Sequence, residues 1–185
     1  MHTTHAEMIG PHDRILEAAI CALQDNGECA QSVVLFRETQ PIVGILVDFR
    51  DAEHKAATWQ TVVDTACAFG CNAVGLVLDT FCGSPGTDLA PSQDPAAGEA
   101  LLVSMVFPGS WSTMKLRYGR NDDGSLHFAE KMERGTRNGP LDASMPGEMA
   151  QAITGASSTD ADEAERLVCQ LRDQGAMVGL MLSCA

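Results

Sequence analysis

Two nearly identical hexapeptides constrain this chain more than anything else in it. Val43-Gly44-Ile45-Leu46-Val47-Asp48 returns as Val74-Gly75-Leu76-Val77-Leu78-Asp79, and a looser copy, Val178-Gly179-Leu180-Met181-Leu182-Ser183, follows near the C-terminus. Each copy is an apolar run of strand length, rich in β-branched residues, and the first two end on a carboxylate. A helical pattern separates those two. Such runs need neighbours in a sheet, and glycine at the second position lets another element come close.

The rest of the pattern gives the remaining elements. Pro11 to Asn26 reads as a helix, with proline in its first turn, Asp13 near its positive end, Gly27 as its stop, and Ile15, Leu16, Ala19 and Leu23 on one face. Ser32 to Phe36 and Ile42 to Phe49 read as a hairpin across Thr39-Gln40-Pro41. Asp51 caps a helix to about Phe69, with Ala56, Trp59, Val62, Val63 and Ala66 as its stripe. Ala73 to Phe81 is apolar enough for a strand buried on both faces. Residues 82–98 are rich in Gly, Pro, Ser and Asp and read as a long surface loop.

Further strands are expected over Ala100 to Phe107, Thr113 to Tyr118 and Leu126 to Glu133, the last two joined through Asn121-Asp122-Asp123-Gly124. Residues 134–158, enriched in Gly, Pro, Ser and Met, read as a linker or arm. A helix from about Asp160 to Gln174, capped by Thr159 with Asp162 in the capping-box position, and a strand from Met177 to Leu182 complete the order.

These elements make a single α/β or α+β domain. Its sheet is mixed and mostly antiparallel, packed by helices, in the order α-β-β-α-β-β-β-β-α-β. The expected parts are a flexible start (1–10), a core (11–133), the arm (134–158) and a C-terminal helix and strand packing on the core (159–185). Over residues 11–133 the order helix, hairpin, helix, strands is similar to that of roadblock- or profilin-like domains. The segments Val77-Leu78-Asp79-Thr80-Phe81, Pro91-Ser92-Gln93-Asp94-Pro95 and Glu99-Ala100-Leu101 resemble small proteins of phage and actinobacterial type, a likeness that implies no activity.

Composition removes several function classes. With 45% hydrophobic residues, collapse is expected, and with 5% aromatics the core must be aliphatic, helped by nine Met. A net charge of −13 disfavours general nucleic-acid binding. No run approaches the length of a membrane span, and residues 1–11 are polar and read as no secretory signal. Seven Cys with no Cys-x-x-Cys pair fit a cytoplasmic protein with reduced, mostly buried thiols, Cys21, Cys67 and Cys169 lying in helical apolar patterns.

Two groups of residues could carry chemistry. Asp48 and Asp79 hold the same place in their repeats, and Glu53 and His54 open the helix after Asp48. On parallel neighbouring strands the four would make an oxygen-rich site for Mg²⁺ or Mn²⁺, fit to activate water for phosphoester hydrolysis. Asp48, Asp79 and His54 would then be the catalytic candidates and Asp48, Glu53 and Asp79 the ligands. The competing explanation is that strand ends carry polar residues because the chain leaves the core there.

Six of the twelve Lys and Arg lie between 115 and 137, and Lys115, Arg117, Arg120 and Lys131 are the candidates for an anion. Catalytic signatures are otherwise missing: there is no G-x-G-x-x-G, phosphate loop, G-x-S-x-G elbow or zinc spacing. The leading expectation is therefore a non-enzymatic binding or regulatory module of the cytoplasm that acts through a protein partner or self-association. A metal-dependent hydrolase is the alternative.

Overall fold

Pro11–Asn26 (α1) forms as its pattern requires, with Gly27 in the left-handed conformation (φ 75°) and its N–H returning to the Leu23 carbonyl. The computed structural model describes residues 10–82, 93–95, 97–138, 145–156 and 159–180. After α1 come β1 (Ser32–Arg37), β2 (Gln40–Leu46), α2 (Ala52–Ala68), β3 (Ala73–Cys82), β4 (Gly98–Phe107), β5 (Ser110–Arg120), β6 (Leu126–Phe128) and β7 (Glu133–Asn138). Then follow α3 (Met145–Ala152), a single 3-10 turn, α4 (Ala161–Asp173) and β8 (Met177–Leu180).

The strands form one sheet in the order β6-β5-β4-β3-β1-β2-β8, with β7 sharing the outer edge of β5 beside β6. Every pairing is antiparallel. The hexapeptide repeat has a geometric meaning here. β2 and β3 are not neighbours. They flank β1 from its two sides in the same register, so Val34 lies opposite both Gly44 and Gly75, and Leu35 opposite both Val43 and Val74. The third copy extends the row, with Gly179 opposite Gly44.

One sheet face is covered by α2, α3 and α4. Val33, Leu35, Val43, Ile45, Val74 and Leu76 pack there with Trp59, Val62, Ala66, Met149 and Leu171. Several of these are wholly excluded from water, and each contributes about 1.5–3 kcal/mol by burial. Among the described residues the other face carries only α1, which sits over β3 and β4, where Leu16, Ala19 and Leu23 meet Val77, Leu101, Val103 and Met114. Gly75 admits this close approach, since a Cβ there would overlap Ile15 Cδ1.

The single α+β domain and its largely antiparallel sheet agree with the sequence reading, and details differ for physical reasons. β2 ends at Leu46, before Asp48, because only Val47 N–H still bonds back, to Gln31 O, where the chain turns toward α2. Of the strand expected over Leu126 to Glu133 only Leu126–Phe128 forms β6, and Glu133 opens β7, which takes another part of the β5 edge.

The expected arm is part of the fold where it is described. Its residues form β7 and α3, and Met149, Ala150 and Ile153 are buried in the main core. Their spacing gives a helical stripe that the surrounding Gly, Pro and Ser disguised. α4 is capped by Asp160, whose carboxylate accepts from Glu163 N–H, while Thr159 instead accepts from Arg37. On α2, Ala56 is exposed and the buried stripe includes Thr58, Thr61 and Thr65. The thiols are less buried than expected, for Cys21 and Cys169 are exposed. The flexible start and most of the long loop lie outside the described residues, as does Cys184.

Candidate functional site

The two faces of the sheet are unequally covered, and the imbalance is sharpest over β1, β2 and β8. Along β1 the residues facing α2 are buried, Val33 at 3% and Leu35 at 0% exposure, while Ser32 and Val34 on the α1 side stay partly open. β2 repeats this: Val43 and Ile45 are buried, and Leu46 is 39% exposed. Among the described residues no helix lies over this part of the α1-side face.

The result is an apolar trough. Its part beside α1, about 380 Å³, is walled by Ala18, Ala19 and Ala22 and floored by Ser32, Val34, Leu46 and Val77. Its continuation over β2 and β8, about 540 Å³, shares Ser32, Val34 and Leu46 and adds Gly44, Met177 and Gly179. Alanines on α1 and glycines on the strands keep it open, since no long side chain fills it. Among the described residues Glu28 is the only charged one lining it.

The residues expected to form a metal site are not brought together. β1 lies between β2 and β3, which sets the two strands roughly 10 Å apart. Asp48 is exposed beyond the end of β2. Asp79 points to the α1 side, where its Oδ1 accepts from the Tyr118 hydroxyl at 2.7 Å and its Oδ2 from Cys29 N–H at 3.2 Å. Glu53 and His54 are on α2, which covers the opposite face. His54 Nδ1 accepts from Arg50 N–H at 3.2 Å, so the ring donates from Nε2 to Gln174 O at 2.8 Å. That bond ties α2 to the end of α4. Among the described residues no three His, Cys, Asp or Glu side chains gather as metal ligands.

Asp79 instead fastens three elements: the exit of α1, β3 and β5. Burial first, and then the hydrogen bond to Asp79, push the Tyr118 hydroxyl well above its ordinary pKa. Burial, then the Asp79 charge, raise the Cys29 thiol likewise. Burial pushes Cys71 up to about 12, so this thiol is inert as a nucleophile.

The cations of the 115–137 segment are largely matched by carboxylates. Glu133 takes Lys115 at 2.8 Å and Arg117 at 3.4 Å, and the Lys115 contact leads in holding its carboxyl below the usual range. Arg120 bonds Glu99 and the Gly27 carbonyl. Lys131 is exposed in the loop between β6 and β7. The alternation of strand residues brings these side chains to different faces of β5, so they do not form one anion cradle.

Sequence reasoning missed Val34, Leu46, Met177 and Leu180 as surface residues, because apolar strand residues read as core. One available signal was the absence of any charged side chain after Asp173. No protein-family model, curated protein or solved structure matches this chain. The trough therefore has to be interpreted from its own chemistry. No helix among the described residues is long and apolar enough to cross a membrane.

Proposed function

We propose that this protein is a non-enzymatic binding or regulatory module of the cytoplasm that works through protein–protein contact, made by the α1-side face of β1, β2 and β8. The observation that carries the reading is the apolar trough left over that face in a chain of net charge −13. Keeping Leu46, Met177 and Leu180 in water has a cost of about 25 cal/mol for each Å² of apolar surface, which a partner's surface would recover. The walls are small and regular, suited to another chain's side chains, and among the described residues their polar side chains are few, chiefly Asn26, Glu28 and Ser32 beside mostly apolar neighbours.

The test compares affinity capture by the wild type and by Leu46→Asp, with circular dichroism as the folding control. Loss of the captured protein in a folded Leu46→Asp variant is the expected result. Capture that is indifferent to Leu46 overturns the reading.

A further inference from the structure

We propose that the trough receives an amphipathic helix of another protein, with an apolar stripe along its length and Lys or Arg at one end. The inference rests on the protein-contact reading above and names the chemistry of the partner.

Spacing selects a helix. α1 sits over β3 and β4, and helices packed in one layer lie about 8–10 Å apart. Two strand spacings, about 10 Å, lead from that position to β1 and β2, where the trough lies. Among the described residues three helices fill the opposite face, and the place beside α1 on this one is open. Ala18 and Ala22 stand one turn apart on the flank of α1 and allow a close approach, while Val34, Leu46 and Met177 supply an apolar floor. A groove of this kind is filled by helix residues at i, i+3, i+4 and i+7.

Charge selects the composition of that helix. Three exposed acids stand at one end of the trough. Glu28 lines it, Asp25 lies one turn beyond Ala22, and the bond from Val47 N–H to Gln31 O brings Asp48 to the same end, past Leu46. Among the described residues no cation pairs with any of the three. The carbonyl end of α1 adds to the negative potential, with no basic residue in its last turn. The nearest cations are engaged elsewhere. Arg120 reaches Gly27 O from β5, beyond α1, and is neutralised by Glu99, and Arg50 lies with Glu53 and His54 at the start of α2.

The positions of the cations exclude this chain as the source of the helix. All twelve of its Lys and Arg lie in the described residues, so none of its remaining segments brings one to the trough. A second copy carries the same net charge of −13, and its Lys115, Arg117, Arg120, Arg134 and Arg166 already meet carboxylates of their own chain. A basic segment of a different protein is the complement that fits.

The probes are labelled peptides of the length of α1, 16 residues. One has a leucine stripe at helical spacing and Lys at one end, one has Glu in place of Lys, and one has the basic sequence shuffled to remove the stripe. Fluorescence anisotropy reads their binding to the full chain as wild type, as Leu46→Asp, and as Asp25→Asn/Glu28→Gln/Asp48→Asn. A control, Asp162→Asn/Glu165→Gln/Asp173→Asn, removes the same charge from α4 on the other face. The expected result is binding of the basic striped peptide alone. Leu46→Asp and the trough triple raise its Kd about tenfold or more, and the α4 triple leaves it within about twofold.

No binding of the basic peptide overturns the inference, as does equal binding of the acidic or shuffled peptide, or equal weakening by the two triples. The triple changes exposed side chains only, so it decides if Leu46→Asp fails to fold. A wild-type dimer that Leu46→Asp dissociates, with no peptide bound, puts a second copy in the trough and overturns it too. The broader reading fails separately: protein capture that needs Leu46 but survives the trough triple keeps it and ends this inference, and capture indifferent to Leu46 ends both.

Discussion

Tyr118 on β5 donates its hydroxyl to Asp79 on β3, reaching over the intervening strand β4 at 2.7 Å. Asp79 also receives Cys29 N–H, so one carboxylate joins the exit of α1 to two strands that do not touch. A repeat position that suggests a metal ligand in the sequence is a fastening point in the fold. Removing Asp79 strands a phenol and a backbone donor, and Asp79→Ala is expected to cost about 2–3 kcal/mol in urea unfolding, with or without millimolar Mg²⁺. Asp48→Ala, at an exposed site, should stay within about 0.5 kcal/mol. A Mg²⁺-specific rise in melting temperature that both substitutions abolish would restore the metal site.

The same bond sets a pH dependence. Burial and Asp79 raise the folded-state pKa of Tyr118, so the folded chain holds that proton more tightly than the unfolded one. Stability from this group is complete below the ordinary value of 10.0 and is lost as pH rises beyond it. The thiols of Cys29 and Cys71, which are buried, and of Cys67, which is half-buried, act in the same direction from 9.0 upward. Urea midpoints measured across alkaline pH should therefore begin to fall near 9 in wild type and Tyr118→Phe alike, with a shallower slope above 10 in the variant.

Gly75 is occupied territory and Gly179 is open. A Cβ at Gly75 would overlap Ile15 Cδ1, the flexible end of its side chain, whereas one at Gly179 meets nothing within 4 Å. Gly75→Ala should cost about 1 kcal/mol, and Ile15→Val, which removes that methyl, should recover part of it in a double-mutant cycle. Gly179→Ala is expected to leave monomer stability within about 0.5 kcal/mol.

Met149 distinguishes a folded segment from an arm. Its side chain is wholly buried against Ile153 and the α2 face, and Trp59 Nε1 donates to Glu148 beside it at 2.9 Å. Met149→Ala should cost about 2–5 kcal/mol. An arm that merely rests on the surface would lose far less.

The cap of α4 offers a comparison of adjacent residues. Asp160 accepts from Glu163 N–H at 3.0 Å, and Asp160→Ala should cost about 1 kcal/mol. Thr159→Ala removes only the exposed contact from Arg37 and should cost less in the same thermal melts.

Local signals in the sequence determined the elements. Pro11 and Gly27 set the limits of α1, Asp51 starts α2, and the apolar runs make strands, because caps, fixed φ values and side-chain periodicity act over a few residues. They also determined that the chain is a single α+β domain. The tertiary structure alone decided how the repeats meet. The hexapeptides could have been parallel neighbours, but pairing both with β1 places hydrogen-bonding partners on each side of one buried strand and returns Gly44 and Gly75 to the same level. That choice separated Asp48 from Asp79 and left Glu53 and His54 on the far side of the sheet. It also moved β8 to the margin, where its apolar residues face water. Periodicity records which residues alternate, but which face receives a helix depends on where α1 comes to rest, and contacts distant in sequence fix that position.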